Sequence, residues 1–187
     1  KKSSLLRSAF STVNTNLSPA IDVEKATSYV INNLINNVAT GETSTSGGDA
    51  AARYITRRVT LTENQTAEDL NVFLTAYKPD KTNIRVYYKI LNSLDSDDFD
   101  DKSYVEMSQN TNVGVNSVEK KLDDFIEYNY VIASANKTGT NGEVTYTNAA
   151  GSTFTGFNTF ALKIVMLSST DVVVPQIRDM RAIALQI

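Results

Sequence analysis

The segment Asp95 to Asp101, DSDDFDD, sets five carboxylates in one short stretch, and no other part of this 187-residue chain has residue types and spacing so suggestive of chemistry. Carboxylate oxygens suit hard cations, which makes Asp95, Asp97, Asp98, Asp100 and Asp101 candidate ligands for calcium. In an EF-hand register begun at Asp95, Asp97 and Glu106 fall at the third and twelfth ligand positions. Phe99 then takes a ligand position, and Asp100 replaces the glycine on which the turn depends. The segment therefore reads first as a solvated acidic loop between strands and second as a calcium loop of another kind. A glycosidase built on two of these carboxylates would need a cleft and two unlike environments to separate their pKa values. A run of aspartates in one loop supplies neither.

The remaining composition narrows the chemistry further. The chain has no histidine and no cysteine, which removes imidazole-based triads, thiol nucleophiles, thiolate and imidazole metal sites and any disulfide framework. No enzymatic activity and no organic cofactor are expected. A net charge of -3 gives no field to draw in nucleic acid or an anionic membrane. Even the longest apolar run, Phe160 to Leu167, is too short to span a bilayer and is interrupted by Lys163. The opening KKSSLLRSAF lacks an apolar core of signal-peptide length. No methionine begins the chain, so these residues are expected to be a piece of a longer or processed polypeptide. The glycine-bearing stretch TGETSTSGGD, Thr40 to Asp49, is followed by a strand-like run instead of a phosphate-binding helix, and it reads as a loop.

Alternation supplies the elements that must carry these residues. In Asn83 to Leu91 the residues Ile84, Val86, Tyr88 and Ile90 share one face, and Arg85, Tyr87 and Lys89 the other, as in a strand with one buried and one wet side. Arg53 to Thr62 and Leu70 to Tyr77 are two further strands, and Lys78-Pro79-Asp80-Lys81 supplies a turn. Ile126, Tyr128, Tyr130 and Ile132 alternate along another strand with an aromatic face. Asn141-Gly142 before Val144 to Thr147 predicts a protruding hairpin whose return Phe154 and Phe157 would anchor. Phe160, Leu162, Ile164 and Met166 form the inward face of a long strand, and Pro175 suits the start of a closing edge strand. Val118 to Leu122 has local helical character. Tyr87, Tyr128, Tyr130 and Tyr146 would form a stacking platform for host glycan if they shared a solvent-facing surface, although the alternation turns Tyr128 and Tyr130 inward.

The succession RYITRRVTL, AEDLNVFLTAYKP, NIRVYYKIL, DSDDFDD and YVEM resembles a module of virion structural proteins from T4-like, contractile-tailed bacteriophages, found in large tail- or baseplate-associated chains. FNTFALKIVMLSSTDVVVPQIRDMRAIAL is similar to the closing strands of that module, and NLSPAID to its beginning. The resembling patches cover more than half of the chain in the family's order. None is a catalytic motif. The resemblance implies a setting in the virion, with other virion proteins as partners in a homo- or hetero-oligomer, and it carries over no functional residues.

Short strands punctuated by glycine, asparagine and proline, without a long amphipathic helix, predict an all-β fold: an antiparallel β-sandwich, jelly-roll-like, with protruding loops. The expected domain organisation is an N-terminal arm over residues 1–16, anchored by Leu5, Leu6, Phe10 and Val13, and one sandwich domain over residues 17–187.

Overall fold

A computed structural model of the chain describes residue 9 and residues 33–38, 50–110, 116–117, 124–170 and 172–187. The chain divides into two compact units, Lys1–Ile31 and Asn32–Ile187, and all the elements described belong to the second. The arm expected over residues 1–16 (Ala9 apart), the strands expected between Ala20 and Ile31, the loop from Thr40 to Asp49 and the helical turn at Val118 to Leu122 lie outside the described residues.

Eleven strands are described. The first six are β1 (Arg53–Ile55), β2 (Val59–Thr60), β3 (Asp69–Tyr77), β4 (Thr82–Leu91), β5 (Val105–Glu106) and β6 (Ser108–Gln109). They are followed by β7 (Ile126–Val131), β8 (Thr145–Thr147), β9 (Thr153–Thr155), β10 (Thr159–Ser168) and β11 (Gln176–Leu185). One sheet has the order β1-β10-β4-β5, with β2 also on β10; the other has the order β11-β3-β7-β6; β8 and β9 form a separate hairpin. Every strand pairing is antiparallel. The two sheets pack face to face as a β-sandwich. The chain crosses between them repeatedly, and β10 returns late to lie between β1 and β4.

The inner faces follow the alternation read from the sequence. Leu70, Val72, Leu74 and Ala76 of β3, Tyr128 and Tyr130 of β7, Ile84, Val86, Tyr88 and Ile90 of β4, and Phe160, Leu162 and Ile164 of β10 form one core. The Tyr130 hydroxyl donates to the Ile84 carbonyl at 3.0 Å, so a phenol from one sheet is satisfied by the backbone of the other. The Pro79 turn is a corner between sheets. Thr82 closes it with backbone and hydroxyl bonds to the Pro79 carbonyl, and Lys81 takes a positive φ of 67°.

Three expectations are corrected. The single strand expected over Arg53 to Thr62 is two short ones, β1 and β2, interrupted at Thr56 to Arg58. The outer face of β4 is not wet, because Tyr87 is 6% and Lys89 8% exposed. Tyr87 joins Ala50, Tyr104, Val165 and Leu167 in a second apolar cluster on that face, and the chain between β4 and β5 lies over it. The hairpin turn also falls later than Asn141-Gly142. Asn148 and Ser152 close it, with Gly151 at a φ of 85°, while Gly142 serves a tight turn between Gly139 and Glu143.

Gly156 seats the return of the hairpin onto the sandwich. Its φ is 69°, and a Cβ there would lie 2.8 Å from the Ala67 carbonyl oxygen and 2.9 Å from Thr66 Cγ2. Ala67 and Phe157 exchange both backbone hydrogen bonds at this point. Gly156→Ala is therefore expected to cost about 2 kcal/mol, from the left-handed backbone and the contact with the carbonyl together. A shift in urea midpoint at constant slope would measure it, and an unchanged midpoint would show that the Ala67 bridge yields freely.

Candidate functional site

The acidic segment folds back over the sandwich, and the side chain that follows it, Lys102, occupies the place a cation would take. Lys102 Nζ lies 2.6 Å from Asp95 Oδ2 and 2.6 Å from Asp97 Oδ2. Asp95 has every acceptor direction engaged. Its Oδ1 accepts from the Asp97 amide (3.1 Å) and Asn148 Nδ2 (3.1 Å), and its Oδ2 accepts from the Tyr146 hydroxyl (2.8 Å) as well as from Lys102. Asp97 also accepts from the Ala149 amide at 3.0 Å. The hairpin β8–β9 is thereby clasped to the loop.

The clasp continues into the core. Tyr146 accepts from the Asn92 amide at 2.8 Å, and Asn92 Nδ2 reaches the Thr155 and Gly156 carbonyls. Asn92 Oδ1 accepts from the Leu94 amide, an Asx turn that starts the loop. Burial pushes the Asp95 carboxyl up, but the hydrogen bonds from Lys102, Asn148, the Asp97 amide and Tyr146 outweigh it and hold the group well below the usual carboxylate range. The Ala149 amide and Lys102 lower Asp97. Burial works against the Lys102 ammonium, yet its bonds to Asp95 and Asp97 prevail and raise its pKa. Burial and the Asp95 carboxylate raise Tyr146. Near neutrality none of these groups is poised to exchange a proton.

A second arrangement pins the loop from beneath. Lys163, fully buried on the outer face of β10, lies between the rings of Tyr87 (4.6 Å) and Tyr104 (4.9 Å). Lys89 follows between Tyr104 (5.0 Å) and Phe99 (5.1 Å), and Arg58 covers Phe99 at 5.8 Å. Lysines and aromatic rings alternate, so Lys163 and Lys89 each meet π faces where water has been excluded, while Arg58 lies at the exposed end of the row. Lys89 also donates to the Asp100 carbonyl at 3.2 Å, and burial lowers its pKa.

Comparison with protein-family models, with curated proteins and with solved structures finds no match to this chain. The site is therefore interpreted from its own chemistry.

Of the five candidate calcium ligands, only Asp95 and Asp97 converge, and they converge on Lys102. Asp98 caps its own turn by accepting from the Asp100 amide. Asp100 contributes a carbonyl, and Asp101 is exposed. Among the described residues, no three carboxylates gather around a common point. An ammonium already bridges Asp95 and Asp97 and calcium would have to displace it, so the thermal midpoint is expected to be the same with and without millimolar calcium. A rise on addition of calcium would mean that Lys102 can be displaced.

The four tyrosines expected to stack on glycan do not share a surface. Tyr128 and Tyr130 are core residues, and Tyr87 lies under the loop. Tyr146 is half-buried, with its ring stacked on Phe154 at 5.7 Å and its hydroxyl spent on Asp95. Lys102, Asn92, Asn148 and Phe99 escaped the sequence reading. The Asx-prone Asn92 was a local signal, but nothing in the sequence ties Tyr146 to an aspartate 51 residues earlier.

Proposed function

We propose that this chain is a non-enzymatic structural module of a phage tail or baseplate, which works through assembly contacts with other virion proteins. The observation that carries this reading is a flank of the sandwich that is open among the described residues. β5 and β6 are joined through Met107 and close one side; the opposite side therefore carries the edges of β1, β2 and β11. Tyr54, Ile55 and Val59 are exposed on the first sheet there, and Ile183 on the second. Apolar side chains beside open strand edges are what a subunit offers to a neighbour. The sequence patches that resemble virion structural proteins support the same setting. Antibodies to the chain are expected to label the tail or baseplate of particles that carry it, viewed by electron microscopy. Particles free of label, or labelled on the head, would overturn the reading.

A second reading, recognition of a host-surface glycan, is favoured by a groove of about 360 Å³ between the acidic loop and the hairpin. Asp101, Ser103, Asn136, Thr145 and Tyr146 line it, and such a mix of carboxylate, amide, hydroxyl and ring suits a saccharide. A glycan array probed with the purified chain tests it. Binding abolished by Asp101→Ala would favour this reading over a purely assembly role.

A further inference from the structure

We infer that β11 pairs with β11 of a second copy of this chain, antiparallel about a two-fold axis at Met180, joining two sandwiches through one continuous sheet. The inference rests on the assembly reading and names the partner. β11 is ten residues long and pairs with β3 on one side. Among the described residues nothing pairs with its other side, and most of the strand is exposed. An open edge of this length is a template for another strand.

The pattern of charges selects the occupant. Across β3, Asp179 stands opposite Thr75, Met180 opposite Leu74 and Arg181 opposite Phe73. Met180 and Ala184 pack toward the core, and Asp179 and Arg181 therefore share the outward face. In an antiparallel pairing centred on Met180, Asp179 meets Arg181 of the second copy, and Arg181 meets its Asp179. Both pairs lie on one face, where directly opposite charges attract. A slip of two residues one way sets Asp179 against Asp179; the same slip the other way sets Arg181 against Arg181. A slip of one residue turns inward faces outward. Only this register sets opposite charges against each other on one face.

The present partners of Arg181 leave it free to do this. It pairs with Glu127 at 3.3 Å, with both side chains more than half exposed, and lies 4.7 Å from the Phe73 ring centroid. An exposed pair of that kind contributes little and can be shared with a second carboxylate. The bulge between Ile177 and Asp179 puts Arg178 out of register with β3; with the axis at Met180 it falls opposite Ala182 of the second copy, so the regular part of the contact is Asp179 to Arg181. The neighbouring β1 and β2 edge would bring Tyr54, Ile55 and Val59 alongside the same axis.

The test is self-association measured by sedimentation equilibrium across a concentration series for the wild type, Asp179→Arg, Arg181→Asp, the double exchange, and an equimolar mixture of the two single variants. The wild type is expected to dimerise. Each single variant creates two like-charge pairs across the axis and is expected to weaken dimerisation at least about tenfold. The double exchange and the mixture restore opposite pairs and are expected to recover it. If circular dichroism shows Arg181→Asp unfolded beside Glu127, Asp179→Asn and Arg181→Gln carry the same comparison without added repulsion. A wild type that stays monomeric throughout, or single variants that dimerise like the wild type, would overturn the inference. Tail labelling with a monomeric chain would leave the assembly reading standing and remove the β11 contact; a dimer lost in the single variants, without labelling, would do the reverse.

Discussion

Lys102→Met is expected to destabilise the protein by about 3 kcal/mol, because it strips the counter-ion from a carboxylate that has no access to water. The Asp95 side chain is fully buried and that of Lys102 is 12% exposed. Methionine keeps the length and apolar stem of the lysine, so packing changes little and the loss is electrostatic. Asp95 retains hydrogen bonds from Tyr146, Asn148 and the Asp97 amide, which is why the expected figure lies at the low end for a broken buried pair. Urea unfolding followed by circular dichroism measures it. Asp95→Asn in the Lys102→Met background should recover part of the loss, since an amide needs no counter-ion, and the two substitutions should combine far from additively. A cost under about 1 kcal/mol for Lys102→Met would show that the clasp is no stronger than a surface pair.

Acid brings the two proteins closer. In the wild type the Asp95 pKa is lower in the folded chain than the ordinary aspartate value of 3.8. The unfolded chain therefore binds the proton first as pH falls. The stabilisation is complete above that ordinary value and is lost as pH drops through it toward the folded value. In Lys102→Met, burial acts on Asp95 without the ammonium to oppose it, so the folded pKa rises and acid relieves the strain. The stability gap between variant and wild type is expected to be widest near neutrality and to narrow as pH falls toward 3.8. A gap that stays constant with pH would remove Asp95 as its origin.

Alternation in β3, β4, β7 and β10 was legible because those strands face a common core and the side-chain period is fixed by the pleat. The outer face of β4 was not. Alternation records that Tyr87 and Lys89 point away from the core; it carries no information on whether a loop later returns to cover them. The loop residue that does the covering, Phe99, was visible only as a flaw in a calcium pattern. The clasp was illegible for a similar reason: Asp95 and Tyr146 meet because β4 ends at Leu91 opposite Thr159, where the β8–β9 hairpin returns into β10. Asn141-Gly142 was recognised as a turn, but a nearby Asn148-Ala149-Ala150-Gly151 sequence holds the actual hairpin connection, and local turn chemistry does not rank the two.

Phe99→Ala is expected to cost about 3 kcal/mol, the loss for truncating a buried phenylalanine whose surroundings relax only in part. Phe99 is 4% exposed and is the apolar pin that brings an otherwise acidic loop down onto the outer face of the first sheet. Its ring separates Lys89 from water and lies within reach of Arg58. With the ring gone, Lys89 should become hydrated, and its pKa, now lowered by burial, should move up toward that of a free lysine. Lysine NMR titration reads that shift, and amide exchange across residues 96–104 reads the loosened loop. Phe99→Leu keeps most of the apolar volume and is expected to cost less than about 1.5 kcal/mol. Combining Phe99→Ala with Lys102→Met then distinguishes two descriptions of the loop. If pin and clasp hold one cooperative unit, the second loss is small once the first has freed the segment. Additive losses would mean that the pin and the clasp fasten the loop independently.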